Sequence, residues 1–291
     1  MSRPPGSLLA VIGGGIITAL VLVAIFAPLL APYDPRAYSG RSLEPPSASH
    51  LLGTDGLGRD IFSQVVWGAR ASLVVTIAAA ALSVAVGALV GVAAALAGGP
   101  VDFVTMRLVD VCLALPGLPF VIVVAALAGP SRTVVVAVIA MALWPAQARV
   151  LRGQALSLRE RGFIRAAAGF GEGRLQVMRR HVLPAMGPLL VTGFVGGASV
   201  AVGLEAGLSF LGLADPDTPS WGGVLNRALA YRGLYFSTIW AWWLLPAGLA
   251  VTLAILGFSF LGVGIEPRLN PRWRAAHAAA AAPRPRHLGD R

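Results

Sequence analysis

Long apolar stretches alternate with polar segments along almost the whole chain. An α-helix needs roughly 17–25 mainly apolar residues to cross the hydrocarbon core of a bilayer, and six stretches come near this length. They cover about residues 8–30, 73–96, 103–128, 133–150, 186–211 and 239–263. The pattern predicts an all-α, polytopic membrane protein with six transmembrane helices.

Proline and glycine mark the expected breaks in this pattern. Pro116 and Pro119 lie inside the third stretch, where each removes a backbone donor and is expected to kink or interrupt the helix. Residues 31–69 are polar and rich in Pro and Gly, which predicts an aqueous loop after the first span. A second loop, containing Trp221, is expected between the fifth and sixth spans.

Three parts of the chain differ in character. Residues 1–70 are expected to form an uncleaved N-terminal transmembrane helix and an extracytoplasmic loop, since the first apolar stretch exceeds the 7–15 residues of a signal peptide. Residues 71–265 are expected to form a transmembrane domain of five helices. Residues 266–291 form a basic tail rich in Ala and Pro, which predicts a disordered cytoplasmic end.

Composition and charge support the membrane assignment. Hydrophobic residues make up 56% of the chain and charged residues only 12%, against roughly 25% charged residues in soluble domains. The net charge is +10 and all 23 basic residues are Arg. Strong basicity can indicate nucleic-acid binding, but these arginines lie between apolar stretches and fit membrane topology better, so no nucleic-acid partner is expected.

The distribution of arginine predicts the orientation. With six spans, sixteen of the 23 arginines fall on the side that holds both termini. Since basic residues are enriched in cytoplasmic segments, this favours cytoplasmic termini in a multi-pass protein of the bacterial plasma membrane. Trp240, Trp242 and Trp243 would then lie in an outer aromatic belt.

The chain lacks the residues that ATP binding, metal binding and catalysis require. The chain has no Lys and no GxxxxGK[ST] string, so it has no P-loop for ATP, and any ATP would have to be bound by another subunit. One cysteine, Cys112, and four scattered histidines supply neither a metal site nor a convergent catalytic group. We therefore expect no enzymatic activity and no bound cofactor.

The polar segment between the fourth and fifth stretches, at about residues 150–185, is expected to be a helical hairpin. Ser157 and Glu160 have the S-x-x-E spacing of a capping box, which predicts a helix that starts after Ser157. A second short helix is expected from Arg174 to His181. The apolar face of the first helix is too short to span a membrane. It could dock into a groove of a partner protein or lie on anionic lipid, and the residues alone leave both open.

Single charged residues within or near the spans give further expectations. Glu205 falls in the fifth stretch, where a carboxylate is costly, and either a gate or pathway role or a structural hydrogen bond would explain it. Asp102 is expected to cap the N-terminus of a helix. Arg107 and Asp110 are spaced to form an ion pair on one helix.

A motif within residues 150–185 resembles the EAA loop of ATP-binding-cassette (ABC) importer permeases, E-A-A-x3-G-x9-I-x-L-P. It consists of matched positions at Arg165, Ala166, Ala167, Gly171, His181, Leu183 and Pro184, with Arg165 in place of the usual Glu. The resemblance implies the type I ABC importer permease fold. It also implies that this loop forms a coupling helix that inserts into a cleft of the ATPase subunit.

Other motifs follow in the order found in C-type permeases of dipeptide, oligopeptide and nickel importers. They lie at residues 50–60, 68–73, 98–110, 156–160 and 205–222. The resemblance implies a lipid-embedded permease that forms half of a pathway for peptides or a related small solute. The implied partners are a homologous second permease, two ATPase subunits that bind ATP and Mg, and an extracytoplasmic solute-binding protein.

An ion-coupled secondary transporter is the alternative function. It would require midspan carboxylates or broken helices at matching positions of two inverted halves. Midspan acids are scarce in this chain, and we find no matching halves.

Overall fold

The computed structural model describes residues 5–162, 164 and 171–269, and these are mainly helical. A short 3-10 turn covers Leu234–Phe236, and a π-helical turn covers Met178–Val182. The α-helices, in chain order, are α1 Pro5–Ile25, α2 Ala27–Leu30, α3 Ile61–Ala97, α4 Gly99–Ala114, α5 Gly117–Ala128, α6 Arg132–Arg159, α7 Arg174–Val177, α8 Leu183–Ala185, α9 Gly187–Phe210, α10 Trp221–Ala230 and α11 Ile239–Leu269.

The predicted all-α polytopic architecture is confirmed. Helices α1, α3, α6, α9 and α11 are each long and apolar enough to cross a membrane. The pair α4 and α5 passes the same test only as a unit, bent by 88° at its junction. The bend lies at Leu115, the C-cap of α4, and Pro116, the N-cap of α5. The predicted interruption of the third span by proline is therefore confirmed at Pro116.

Helix α3 begins at Ile61, about twelve residues earlier than the apolar stretch predicts, so the expected aqueous loop ends at residue 60. The Asp60 carboxylate caps the helix by accepting from the Ser63 amide at 2.7 Å. Polar Gln64 in the first turns is buried and hydrogen-bonded within the protein. Hydropathy alone misses this extension because its polar side chains are satisfied by protein rather than by water.

Helix α6 continues through Arg159, so the predicted helix start after Ser157 is wrong. Ser157 lies on the exposed side of the last turns of α6. Leu151, Ala155 and Leu158 continue the buried stripe of this helix at intervals of four and three residues. Burial of that stripe extends the helix beyond the membrane-length apolar stretch.

Two expectations about the other end of the molecule, a loop around Trp221 and an outer belt of tryptophans, are wrong. The loop around Trp221 contains α10, whose N-cap Ser220 accepts from the Gly223 amide at 3.1 Å. Trp242 and Trp243 are buried against α10 rather than placed in an outer belt, and only Trp240 of the three is exposed. Amphipathic α10 provides the apolar surface that covers the two indoles.

The membrane helices pack through small residues around α3. One buried cluster joins α1, α3, α9, α10 and α11, and another joins α3, α5, α6 and α9. At Gly91 of α3 the backbone of α6 at Ala148 lies so close that a Cβ atom would overlap its carbonyl oxygen. Such close approach of helix backbones is typical of membrane helices, which lack a hydrophobic drive for association in lipid.

Polar side chains order the loop between α2 and α3. Asp55 accepts hydrogen bonds from the amides of Leu57 and Arg59 at 2.8 and 3.0 Å. The buried His50 ring lies 3.0 Å from the Asp60 carboxylate. These bonds hold the loop against the start of α3.

Candidate functional site

The predicted coupling segment lies at the end of the molecule where α3 and α6 both end. A buried apolar cluster joins the last turns of these two helices to Ile164 and to the segment that enters α9. Arg165, Ala166 and Ala167, the first part of the motif, lie outside the described residues. The structure therefore describes the attachment of the loop to the membrane helices.

Gly171 has a backbone φ of +87°, in the left-handed region that favours glycine. The next residue, Glu172, places its carboxylate 3.0 Å from Nε2 of His181. This contact links the chain after Gly171 to the π-helical turn. The motif positions Gly171 and His181 are therefore held together by Glu172, a residue that the motif does not specify.

Leu183 and Pro184 close the motif at the entry to α9. Leu183 is half-buried against the apolar cluster, whereas Pro184 is exposed. The Leu183 amide donates to the Met178 carbonyl, five residues earlier, which ends the π-helical turn. Pro184 has no amide to continue the ordinary helical ladder, and the wider turn accommodates this loss.

Arginines of α6 form ion pairs and hydrogen bonds with α4 and α3. Arg152 forms two bonds of 2.5 Å to the Asp102 carboxylate, and Arg149 pairs with Asp110. Arg159 donates to the Ala95 carbonyl at 2.9 Å, near the end of α3. Asp102 therefore does not cap α4, as expected from the sequence, because Gly98 occupies that position.

The predicted pair of Arg107 and Asp110 is confirmed, with 3.5 Å between its charged atoms. Both side chains are substantially exposed, so the pair contributes little alone. Arg161, Arg179 and Arg180 are exposed near the apolar cluster and form a basic surface beside the coupling segment.

Glu205 lies near the other end of the molecule, in α9. Its side chain is 2% exposed, and Oε1 accepts from the Ser209 hydroxyl at 2.8 Å. Among the described residues, Oε2 has no hydrogen-bond partner. The carboxylate lines a cavity of about 20 Å³ together with Arg132, Asp215 and Thr218.

Residues that the sequence does not single out surround this cavity. Arg132 donates to the Thr218 hydroxyl at 3.1 Å, and Thr218 donates to Asp215 at 2.7 Å. The Thr218 hydrogen bond, with smaller contributions from the Asp217 amide, Arg132 and Arg36, lowers the pKa of Asp215 below its ordinary value. These hydrogen bonds connect the start of α6 to the loop before α10. Arg132 and Thr218 are 86 residues apart, so no local sequence pattern could predict their contact.

Arg227 of α10 is also missed by the sequence. It donates to Oε1 of Gln64 at 2.6 Å, and Gln64 donates to Asp55 at 3.0 Å. Burial lowers the pKa of Arg227 below its ordinary value, although nearby Asp55 opposes the shift. The one charge in this otherwise uncharged ten-residue segment is the signal that could have indicated a buried polar link.

The helical bundle, the span broken at Pro116 and the anchored polar segment between α6 and α9 define the class of a polytopic membrane transport subunit. Residues 83–275 match the family described as the binding-protein-dependent transport system inner membrane component. Residues 8–46 match the N-terminal transmembrane domain of oligopeptide transport permease C. The chain belongs to the first of these families, and it is a permease subunit of an ABC importer.

Curated relatives match nearly the whole chain. A Brucella suis protein whose name assigns it to the peptide permeases is 38% identical over 266 residues, covering 90% of this chain and 87% of its own. The dipeptide transport system permease protein DppC of Alkalihalophilus pseudofirmus is 36% identical over 271 residues, covering 92% of this chain and 87% of its own. The family is one of transport permeases rather than enzymes, and its members work within ABC transporters as multi-pass inner-membrane components.

Proposed function

We propose that this chain forms half of the translocation pathway of a peptide importer. The names of its relatives, a peptide permease and a dipeptide permease, support peptides as the cargo. The other half of the pathway would come from a homologous second permease subunit. Two ATPase subunits would bind ATP and Mg on the cytoplasmic side, because this chain has no Lys and hence no P-loop lysine. A solute-binding protein would deliver the cargo on the outer side.

The attachment of the coupling segment is the observation that supports this function best. The segment after Gly171 packs with the ends of α3 and α6 in one apolar cluster, and Arg159 adds a hydrogen bond between those two ends. A force applied to the loop by an ATPase would therefore reach both helices. ATP drives transport in this scheme only if the ATPases bind it with different affinities in the outward- and inward-facing states.

The orientation follows from the same arrangement. The coupling segment and the basic surface of Arg161, Arg179 and Arg180 share one end of the molecule. This end faces the cytoplasm in our proposal, since basic residues are enriched there, and both termini lie on the same side. The loop between α2 and α3 then faces the binding protein.

A proline at Gly171 tests the coupling role. Gly171→Pro imposes a φ near −65° where the chain has +87°, so the loop changes shape while the membrane helices remain intact. The complete transporter is reconstituted in proteoliposomes, and ATP hydrolysis and peptide uptake are measured together. We expect normal membrane insertion and retained hydrolysis, with uptake per ATP reduced on the order of tenfold or more, since a misplaced positioning element has effects of this size.

Gly173→Ala is the matched control. Gly173 lies in the same segment, its φ is not in the left-handed region, and a Cβ atom there would meet nothing within 4 Å. The control is expected to keep normal uptake per ATP. Unchanged coupling in Gly171→Pro would contradict the proposal.

A further inference from the structure

A buried carboxylate and an exposed cluster of arginines lie in adjoining cavities near the outer ends of α3, α6 and α9. The inner cavity, of about 20 Å³, contains Glu205. The outer cavity, of about 360 Å³, is lined by Arg36, Arg70 and Arg132 beside Trp67. Arg132, Thr218 and Ala71 line both cavities, so the two lie side by side.

The inner cavity contains a buried carboxyl oxygen that has no hydrogen-bond partner among the described residues. Glu205 is almost fully buried, and only Oε1 is hydrogen-bonded, by Ser209. The Ser72 hydroxyl lies near the carboxylate, but Oε2 has no hydrogen bond within the described part of the chain. A buried acceptor left in this state is costly, and a donor or cation that reaches it is strongly favoured. The cavity volume suits one group of about the size of a water molecule.

The outer cavity is lined by positively charged side chains. Arg36, Arg70 and Arg132 are exposed, and none of them forms an ion pair with a carboxylate of the described residues. Asp215 attracts Arg132 and Arg36, but its carboxylate already accepts from Thr218. Guanidinium groups bind carboxylates through paired hydrogen bonds, so this rim suits an anionic group. The Trp67 ring, 5.8 Å from the guanidinium of Arg70, adds an apolar contact surface.

We infer that the two cavities form a subsite for a short zwitterionic peptide, with its α-ammonium group at Glu205 and its carboxylate at the rim arginines. An ammonium group has about the volume of the inner cavity and supplies the donors that Oε2 lacks. The rest of the peptide fits the outer cavity, which has the volume of a small-molecule site. This inference rests on the proposed function and names the chemical features of the cargo that the permease itself contacts.

The test compares trialanine, N-acetyl-trialanine and trialanine amide in proteoliposomes that contain the complete transporter. Each peptide is supplied on the binding protein at a concentration above its dissociation constant for that protein. The wild type is expected to import trialanine faster than the acetylated peptide. Glu205→Gln keeps the size of the side chain but cannot carry a negative charge. The ratio of the two uptake rates should therefore fall toward one, a change of about thirtyfold or more, as expected from the loss of a buried charge contact.

A second variant examines the other end of the peptide. Arg132→Gln should reduce the preference for trialanine over trialanine amide and leave the preference over the acetylated peptide. This arm remains informative if Glu205→Gln does not assemble, because Arg132 is exposed. Asp217→Asn is the control, since Asp217 is an exposed carboxylate of the same outer loop that lines neither cavity, and it should preserve both preferences.

The outcomes separate this inference from the proposed function. If the wild type imports none of the three peptides, the proposed peptide function is wrong. If it imports trialanine but the ratios are the same in the wild type and both variants, only the subsite is wrong. A third outcome is that the uptake ratios do not change and that Arg132→Gln no longer co-purifies with phospholipid. This result would assign the cavity to a lipid headgroup and overturn the inference.

Discussion

At the scale of single residues, charges inside this protein are held by specific partners. Asp102 has Arg152, Asp60 has Ser63 and His50, and Arg227 has Gln64. Buried or membrane-embedded charge is costly without such partners. Among the described residues, one oxygen of Glu205 and one nitrogen each of Arg59 and Arg227 depart from this rule, and of these groups only Glu205 is an acceptor that a cationic ligand could satisfy.

The hydrogen bond from Thr218 to Asp215 makes a testable contribution to the outer loop. It is the largest cause of the lowered pKa of Asp215. Thr218→Val removes the hydroxyl at nearly constant size, so the pKa should rise toward the ordinary value of 3.8. Titration of the labelled Asp215 carboxyl carbon by NMR in detergent micelles measures the shift, and Thr218→Ser, which keeps the hydroxyl, should leave it low.

The sign of the pH effect follows from the direction of this shift. A carboxylate whose pKa is lower in the folded state adds stability above its unfolded pKa, and this stability is lost as pH falls through the folded value. The loop should therefore be insensitive to pH near neutrality and loosen only in strong acid. An unchanged pKa in Thr218→Val would show that the Asp217 amide and the arginines, rather than the hydroxyl, control Asp215.

Residue roles were predictable from the sequence only where partners are close in the chain. Arg107 and Asp110 share a helix, and their spacing predicts the pair. Asp102 and Arg152 are 50 residues apart, and a local rule therefore misassigned Asp102 as a helix cap. Glu205 stood out because it is a carboxylate in an apolar span, but its cavity is built from three helices and the loop before α10.

At the scale of helices, close backbone contacts through glycine determine which pairs pack. A Cβ atom at Gly13 of α1 would lie 2.5 Å from the amide nitrogen of Leu261 in α11. At Gly264 of α11 a Cβ atom would overlap the backbone of Ala10. Both ends of this contact require glycine, so α1 is held against α11 by close van der Waals packing.

Gly13→Ala should therefore destabilise the protein, because the methyl group meets backbone atoms that cannot move aside alone. Overpacking of this kind costs about 1–3 kcal/mol. Gly15→Ala is the matched control on the same helix, since a Cβ atom there has nothing within 4 Å. It should be neutral or stabilising by up to about 1 kcal/mol through helix propensity.

Thermal unfolding of the two variants in the same detergent measures the difference. The interface is specific if Gly13→Ala unfolds at a lower temperature than the wild type while Gly15→Ala does not. Equal unfolding temperatures for the two variants would show that α1 adjusts its position freely on α11.

Hydropathy predicted helix existence well and helix ends poorly. The six apolar stretches all became helices, and the break at Pro116 follows from the missing backbone donor. The early start of α3 and the late end of α6 depend on burial against other helices, which a window of hydropathy does not record. Short α10 was missed because its apolar face packs on the indoles of Trp242 and Trp243 rather than in lipid.

At the scale of the whole molecule, the cavities near Glu205 and the coupling segment lie at opposite ends of shared helices. The cavities near Glu205 lie by the early turns of α3 and α6, whereas the coupling segment packs on their last turns. Rigid helices that connect two sites can carry a change at one end to the other. The same helices therefore contact both the proposed ATPase lever and the proposed cargo subsite.

Cysteine accessibility tests whether these ends face the compartments that we propose. Cys112 is the only cysteine, so Cys112→Ala gives a background without thiols. Ser49→Cys places an exposed thiol in the loop before α3, and Ser157→Cys places one on the last turns of α6. Because the two positions lie at opposite ends of membrane-spanning helices, a membrane-impermeant maleimide added to intact cells should label Ser49→Cys and leave Ser157→Cys unlabelled.

Permeabilised cells should allow both thiols to react, which shows that each is accessible in the folded protein. The physical reason for the expected asymmetry is the concentration of arginine at the end that holds the coupling segment, since positively charged segments remain in the cytoplasm. Labelling of Ser157→Cys in intact cells would place the coupling segment outside the cell. An ATPase in the cytoplasm could then not reach it, and the proposed mechanism of energy coupling would be wrong.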